Sequence, residues 1–149
     1  MTSQLQSLQL QPAEAIWEHT LRQWSQTFYP QALGIRLTLL LRDVMPAATH
    51  PLLEAIEQQY RQPDDQRRWQ IFEQAQTLGF SSPVGALALS QFWSHGSMSP
   101  DELPPVYPEP QLSEQMLHCV LVMTAAQLAE TPADGVHQLM ARSAMLEGV

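Results

Sequence analysis

The chain contains no lysine, and its seven basic residues are all arginines. Set against fifteen acids they leave a formal charge of -8. The deficit of cations is uneven: residues 69–149 hold Arg142 alone against eight acids, while residues 1–68 hold the other six arginines and seven acids. A nucleic-acid binder displaces counterions from phosphates with clustered cations, and an anionic bilayer repels a surface like this one, so neither nucleic acid nor a membrane is an expected partner. The expected partner is a protein with a basic or apolar face. Cys119 is the only cysteine, which excludes an internal disulfide and a Cys-rich metal site and points to a reducing compartment. No apolar run approaches the ~20 residues that cross a bilayer. The N-terminal MTSQLQSLQLQPAEA lacks the basic start and apolar centre of a signal peptide, so the cytoplasm is the expected location.

What is present is helical punctuation. With 44% hydrophobic and 15% charged residues the chain suits one globular core. Residues 1–11 alternate leucine with Gln or Ser and read as a flexible tail; residues 12–149 read as a single helical domain. From Pro12, the residues Ala13, Ile16, Trp17, Leu21, Trp24 and Phe28 recur at three- and four-residue steps, giving an amphipathic helix with a tryptophan face turned to the core and a stop by Pro30. Residues 31–45 fit a buried helix or, through IRLTLLL at 35–41, a strand; helix is expected. Thr49 is placed to cap a helix that Pro51 begins, with Leu52, Leu53, Ile56 and Tyr60 inward. Asp64 or Asp65 caps the next, which carries Trp69, Ile71, Phe72, Ala75 and Leu78 until Gly79 ends it. Ser82 and Pro83 open a helix to Trp93 whose Gly85, Ala86, Ala88 and Ser90 admit a close neighbour. Ser113 is expected to cap a strongly apolar helix, and Thr131 with Asp134 a last one. The fold class is all-α: a single-domain bundle of six or seven helices with a proline-rich connecting segment.

That segment is the run FWSHGSMSPDELPPVYPEP at 92–110. Phe92 and Trp93 end a helix, Gly96 permits the positive φ that leaves it, and Ser99 can cap a turn opened by Pro100, with Asp101 and Glu102 suited to that turn's positive end. Pro104, Pro105, Pro108 and Pro110 then hold the chain extended, with little entropy to lose. Together with the stretch from Pro83 to Gly85, the run resembles the signature of an uncharacterised family of small helical bacterial proteins. Its members read FWSGGS, a proline soon after, then a PPVPPP-like run before an apolar helix; looser similarity extends to RDVMP at 42–46 and to the helix from Arg67 to Gly79. His95 stands where that family usually has glycine, Tyr107 interrupts the proline run, and a Trp-Trp pair common in its third helix is absent. The resemblance implies no activity; it implies, for some members, an association with bacterial secretion loci, type VI in particular.

No catalytic constellation stands out. His95 lies near Ser94, Ser97 and Ser99, but side chains so close in one loop rarely align as nucleophile and base, and no strand precedes an elbow. His118 and Cys119 are adjacent, so on a helix they point about 100° apart and cannot chelate one ion together. Cys119 reads as core. His19, His50 and His137 are scattered, and Glu14 with Glu18, on one helical face without a nearby histidine, read as solvated. No cofactor and no metal site are expected. The reading that remains is a non-enzymatic interaction module, an adaptor or chaperone-like accessory of a bacterial multiprotein machine such as type VI secretion. Its binding residues would be Phe92, Trp93, His95, Ser97 and Tyr107, on a ledge that a partner grips. Two alternatives are a small-molecule binder or enzyme with an inter-helix pocket near Trp93 and His95, and an immunity protein whose negative charge covers a basic active site.

Overall fold

Residues 14–146 are described by a computed structural model. Among them lie seven α-helices and no strand, which makes the protein an all-α single domain. The helices are α1 (Ile16–Ser25), α2 (Pro30–Val44), α3 (His50–Arg61), α4 (Asp65–Leu78), α5 (Pro83–Ser94), α6 (Leu112–Leu128) and α7 (Pro132–Ala144), with a short 3₁₀ turn at Ala47–Thr49. The alternating tail and Pro12 fall outside the described residues.

Several starts follow the expected chemistry. Asp64 accepts a hydrogen bond from the Arg67 amide, Ser82 from the Gly85 amide and Thr131 from the Asp134 amide, each satisfying an amide that the first helical turn leaves free. Pro30, Pro51, Pro83 and Pro132 fill first-turn positions where no amide is needed. Gly79 ends α4 at φ 101°. Residues 35–41 are helical, inside α2.

Other expectations are corrected. The first helix begins at Ile16, which is 86% exposed, and Leu21 is its only fully buried residue; Trp17 and Trp24 are half-buried against the core, and Phe28 lies past the helix end. Thr49 occupies the position before α3 but its hydroxyl donates back to the Pro46 carbonyl, closing the 3₁₀ turn instead of capping the helix. Ser113 lies inside α6, which starts one residue earlier, and its hydroxyl donates to the Ser90 carbonyl of α5. Leu78 is 45% exposed.

The architecture is built around α5. Its residues from Pro83 to Phe92 are all buried, and it packs on α6 most extensively, then on α4, α3 and α2. A helix apolar all round has to sit in the centre, because no face of it can be left to water. The small residues expected to admit a neighbour do so: Ser90 donates to the Ser113 carbonyl at 2.8 Å while Ser113 donates back to Ser90, a reciprocal pair across the α5–α6 contact. α6 and α7 pack on each other, α7 returns against α1, and Arg36 of α2 ties α7 by donating to the Ser143 carbonyl at 2.9 Å. No helix among the described residues is long and apolar enough to cross a membrane.

Candidate functional site

The proline-rich segment leaves α5 and reaches α6 across the start of α4, and its order begins with a residue from α4. Arg68 shares the inward face of that helix with Ile71 and Ala75 and is only 1% exposed. Its guanidinium donates to the Phe92 carbonyl at 3.3 Å, to the Ser97 carbonyl, and to Asp65 at 3.2 Å. The guanidinium carbon also stands 4.3 Å above the Phe92 ring and 5.5 Å from that of Trp69. A planar fork with five donors suits this place, since it can satisfy two carbonyls at a helix end and still lie flat on an aromatic face. Gly96 is the matching piece: it adopts φ 91°, and a Cβ there would come within 2.6 Å of the Arg68 side chain.

Ser97 then organises the loop. Its Oγ accepts from the Ser99 amide at 3.0 Å and from the Val106 amide at 2.9 Å, while the Met98 amide donates to the Val106 carbonyl at 2.6 Å. The Ser99 hydroxyl donates to the Pro104 carbonyl at 2.6 Å, and the Leu103 amide closes a turn on Pro100. Ser99 thus braces the turn across its width instead of capping it at its start. Residues 97–106 form a pinned loop, and along its outer edge and the residue that follows, Leu103, Val106 and Tyr107 are 55%, 51% and 67% exposed.

The five expected binding residues separate into different environments. Phe92 is 3% exposed and belongs to the core, stacked on Phe72 at 4.5 Å and edge-on to Trp69 at 4.9 Å. Ser97 and Tyr107 come together around a hollow of about 350 Å³ whose floor is Arg68 and Trp69. His95 is exposed and opens onto a second hollow, between α3, α5 and α6. Trp93 is half-buried and lines neither. Arg68, the residue that fixes the loop, carries no motif of its own in the sequence, although its spacing to Ile71 and Ala75 places it on the apolar stripe of α4.

A third cluster could not be foreseen from spacing. Glu14 and Glu18 meet His118 of α6, with their ligand atoms within 4.8 Å of one another. Arg22 occupies the middle of this group, donating to Glu14 at 2.6 Å and lying 3.3 Å from His118 Nε2, which is itself 3.0 Å from Glu18. Nε2 cannot accept from Arg22 and donate to Glu18 at once. His118 Nδ1 is buried without a partner, and an unpaired lone pair there costs less than an unpaired N–H, so the proton belongs on Nε2, toward Glu18. A metal ion would have to displace Arg22 and force that proton onto Nδ1. The cluster is therefore a clasp holding α1 to α6. The Arg22 hydrogen bond keeps the Glu14 carboxyl below its ordinary range. Cys119, expected in the core, is exposed, because α6 turns His118 toward α1 and leaves the next residue facing out.

Residues 32–146 match the model of a Family of unknown function (DUF6931). No curated protein and no solved structure matches the chain.

Proposed function

The chain belongs to this family of unknown function, and within it we propose that the protein is a non-enzymatic docking module whose contact surface is the outer edge of residues 103–108. The observation that carries the reading is the row Leu103, Val106, Tyr107: apolar side chains held outward on a loop that Arg68 and Ser97 fix in place. Apolar groups on a prearranged edge cost a partner little ordering entropy on binding, and tyrosine adds a large rigid contact with a polar tip. Asp101, Glu102 and Glu109 are exposed along the same edge. The partner that fits is a protein segment with apolar side chains flanked by cations. The motif's resemblance to proteins near secretion loci makes a bacterial multiprotein machine, type VI secretion first, the place to seek it.

The test is co-purification from the native cell followed by competition with variants. Tyr107→Ala combined with Leu103→Ser should weaken capture of the physiological partner at least tenfold and leave the melting temperature unchanged. Ile16→Ser, a control at a more exposed apolar residue on α1, should change neither. A partner retained at full strength by the double variant overturns the reading.

A further inference from the structure

The hollow above Arg68 and Trp69 borders the docking edge and differs from it in charge. It measures about 350 Å³; Pro105 and Tyr107 line it from the loop side, Asp65 and Trp69 from the first turn of α4, and Asp101 belongs to the same lining. The groups that face it are open to an occupant. Asp101 and Pro105 are exposed, Tyr107 is 67% exposed and the Asp65 side chain 56%. Trp69 is half-buried and held edge-on by Phe92 at 4.9 Å, so the part of the indole that lines the hollow is fixed in place.

The lining carries one cation and two anions. The cation, Arg68, is 1% exposed, with its donors committed to the Phe92 and Ser97 carbonyls and to Asp65. It therefore offers an occupant no surface, and Asp65 balances its charge. Asp101 has no such answer: it forms no ion pair among the described residues, and Glu102 beside it is exposed as well. An anionic occupant would meet Asp101 with no cation within reach. A neutral apolar one would strip water from the carboxylate and return nothing. A cation is drawn both to the carboxylate and to indole and phenol rings.

We propose that this hollow receives an arginine side chain of the protein partner, its guanidinium paired with Asp101 and lying against Tyr107 and Trp69. Arginine suits it better than lysine, because a planar, weakly hydrated cation stacks on aromatic rings and offers a carboxylate two parallel donors. An ammonium stays a compact, strongly hydrated charge. The inference rests on the docking edge proposed above and specifies what that edge recognises. Leu103 and Tyr107 belong both to the edge and to the lining, so apolar contact and arginine pairing adjoin on one surface.

The experiment is an NMR titration of the whole chain with acetyl-Leu-Arg-Leu amide and with the same peptide carrying citrulline, which keeps the shape and removes the charge. The arginine peptide should shift the Trp69 indole N–H signal saturably, with a Kd on the order of 1 mM for so short a probe, and leave those of Trp17 and Trp24 in place. Citrulline should weaken binding roughly fivefold or more, and Asp101→Asn should weaken the arginine peptide as far without changing the melting temperature. No saturable Trp69 shift, equal binding of the two peptides, or full affinity in Asp101→Asn overturns the proposal. A Trp69 shift on concentrating the protein alone gives the hollow to a second copy and overturns it too. Capture of the physiological partner separates this inference from the edge beneath it. Loss with Asp101→Asn as well as with the Tyr107 and Leu103 double variant supports both, whereas loss with the double variant alone leaves the edge standing and overturns the arginine site.

Discussion

Among the described residues Arg68 is the only charged side chain that is buried, and its role can be separated into parts by substitution. Asp65, its carboxylate neighbour, is more than half exposed, so that ion pair adds little. The two carbonyls matter more. Arg68→Met keeps much of the packing on Phe92 but leaves the Phe92 and Ser97 carbonyls without their donor, and should cost about 2–4 kcal/mol, measured by urea unfolding. Arg68→Lys should recover only part of this, because an ammonium cannot reproduce the planar fork. Gly96→Ala forces a left-handed backbone on an L residue and pushes a methyl group into the guanidinium, so a loss of about 1–2 kcal/mol or more is expected. At this scale the sequence was half legible. The positive φ of Gly96 could be read from its place after a helix, whereas the residue that makes Gly96 necessary lies 28 positions away and resembles a solvated arginine unless its helical phase is set against Ile71 and Ala75.

Elements were legible where the signal was local and obscure where a tertiary contact decided. Capping by Asp64, Ser82 and Thr131 needs only the next three residues, so the sequence could carry it. Ser113 has the same capping chemistry, but the Ser90 carbonyl on a facing helix competes for its hydroxyl and wins. The clasp between α1 and α6 is invisible in sequence for the same reason, as Glu18 and His118 stand 100 positions apart. The Glu14–Arg22 ion pair beside this clasp should respond to acid. The folded Glu14 carboxyl sits below its ordinary value of 4.5, so its contribution is present above that pH and is lost as the pH falls through the lowered value. Carbon-13 NMR of the Glu14 carboxyl should show the depressed titration, and Arg22→Gln should return it toward 4.5.

For the whole molecule, the scarcity of alternating runs beyond residues 1–11 and the regular spacing of caps and prolines made the all-α class readable, and circular dichroism should be dominated by helix. Burial was harder to read, because amphipathic period alone does not say which face meets a neighbour; α1 shows it, with an exposed Ile16 on the face expected to be covered. Global stability should also fall at high pH. Burial holds the Tyr60 phenol well above its ordinary value of 10.0, a hydrogen bond with Ser90 offsetting part of the rise. A raised folded-state value means that the contribution is complete below the ordinary value and declines as the pH climbs from there toward the raised one, so Tyr60→Phe should flatten the alkaline limb of the stability profile. Field effects follow the charge: duplex DNA at micromolar protein should show no salt-sensitive binding, and salt should slow association of a basic partner more than it speeds release. The Arg68 brace also divides the molecule energetically. Among the described residues, the polar contacts that reach residues 97–106 from another helix come from that one side chain, while the core closes around α5 without them. The chain should therefore have two opening events, a shallow one that frees the loop and a deep one that melts the bundle. In deuterium exchange the amides of Met98, Ser99 and Val106 would then exchange together, well ahead of those in α5, as a unit that can unlatch and refasten while the protein stays folded.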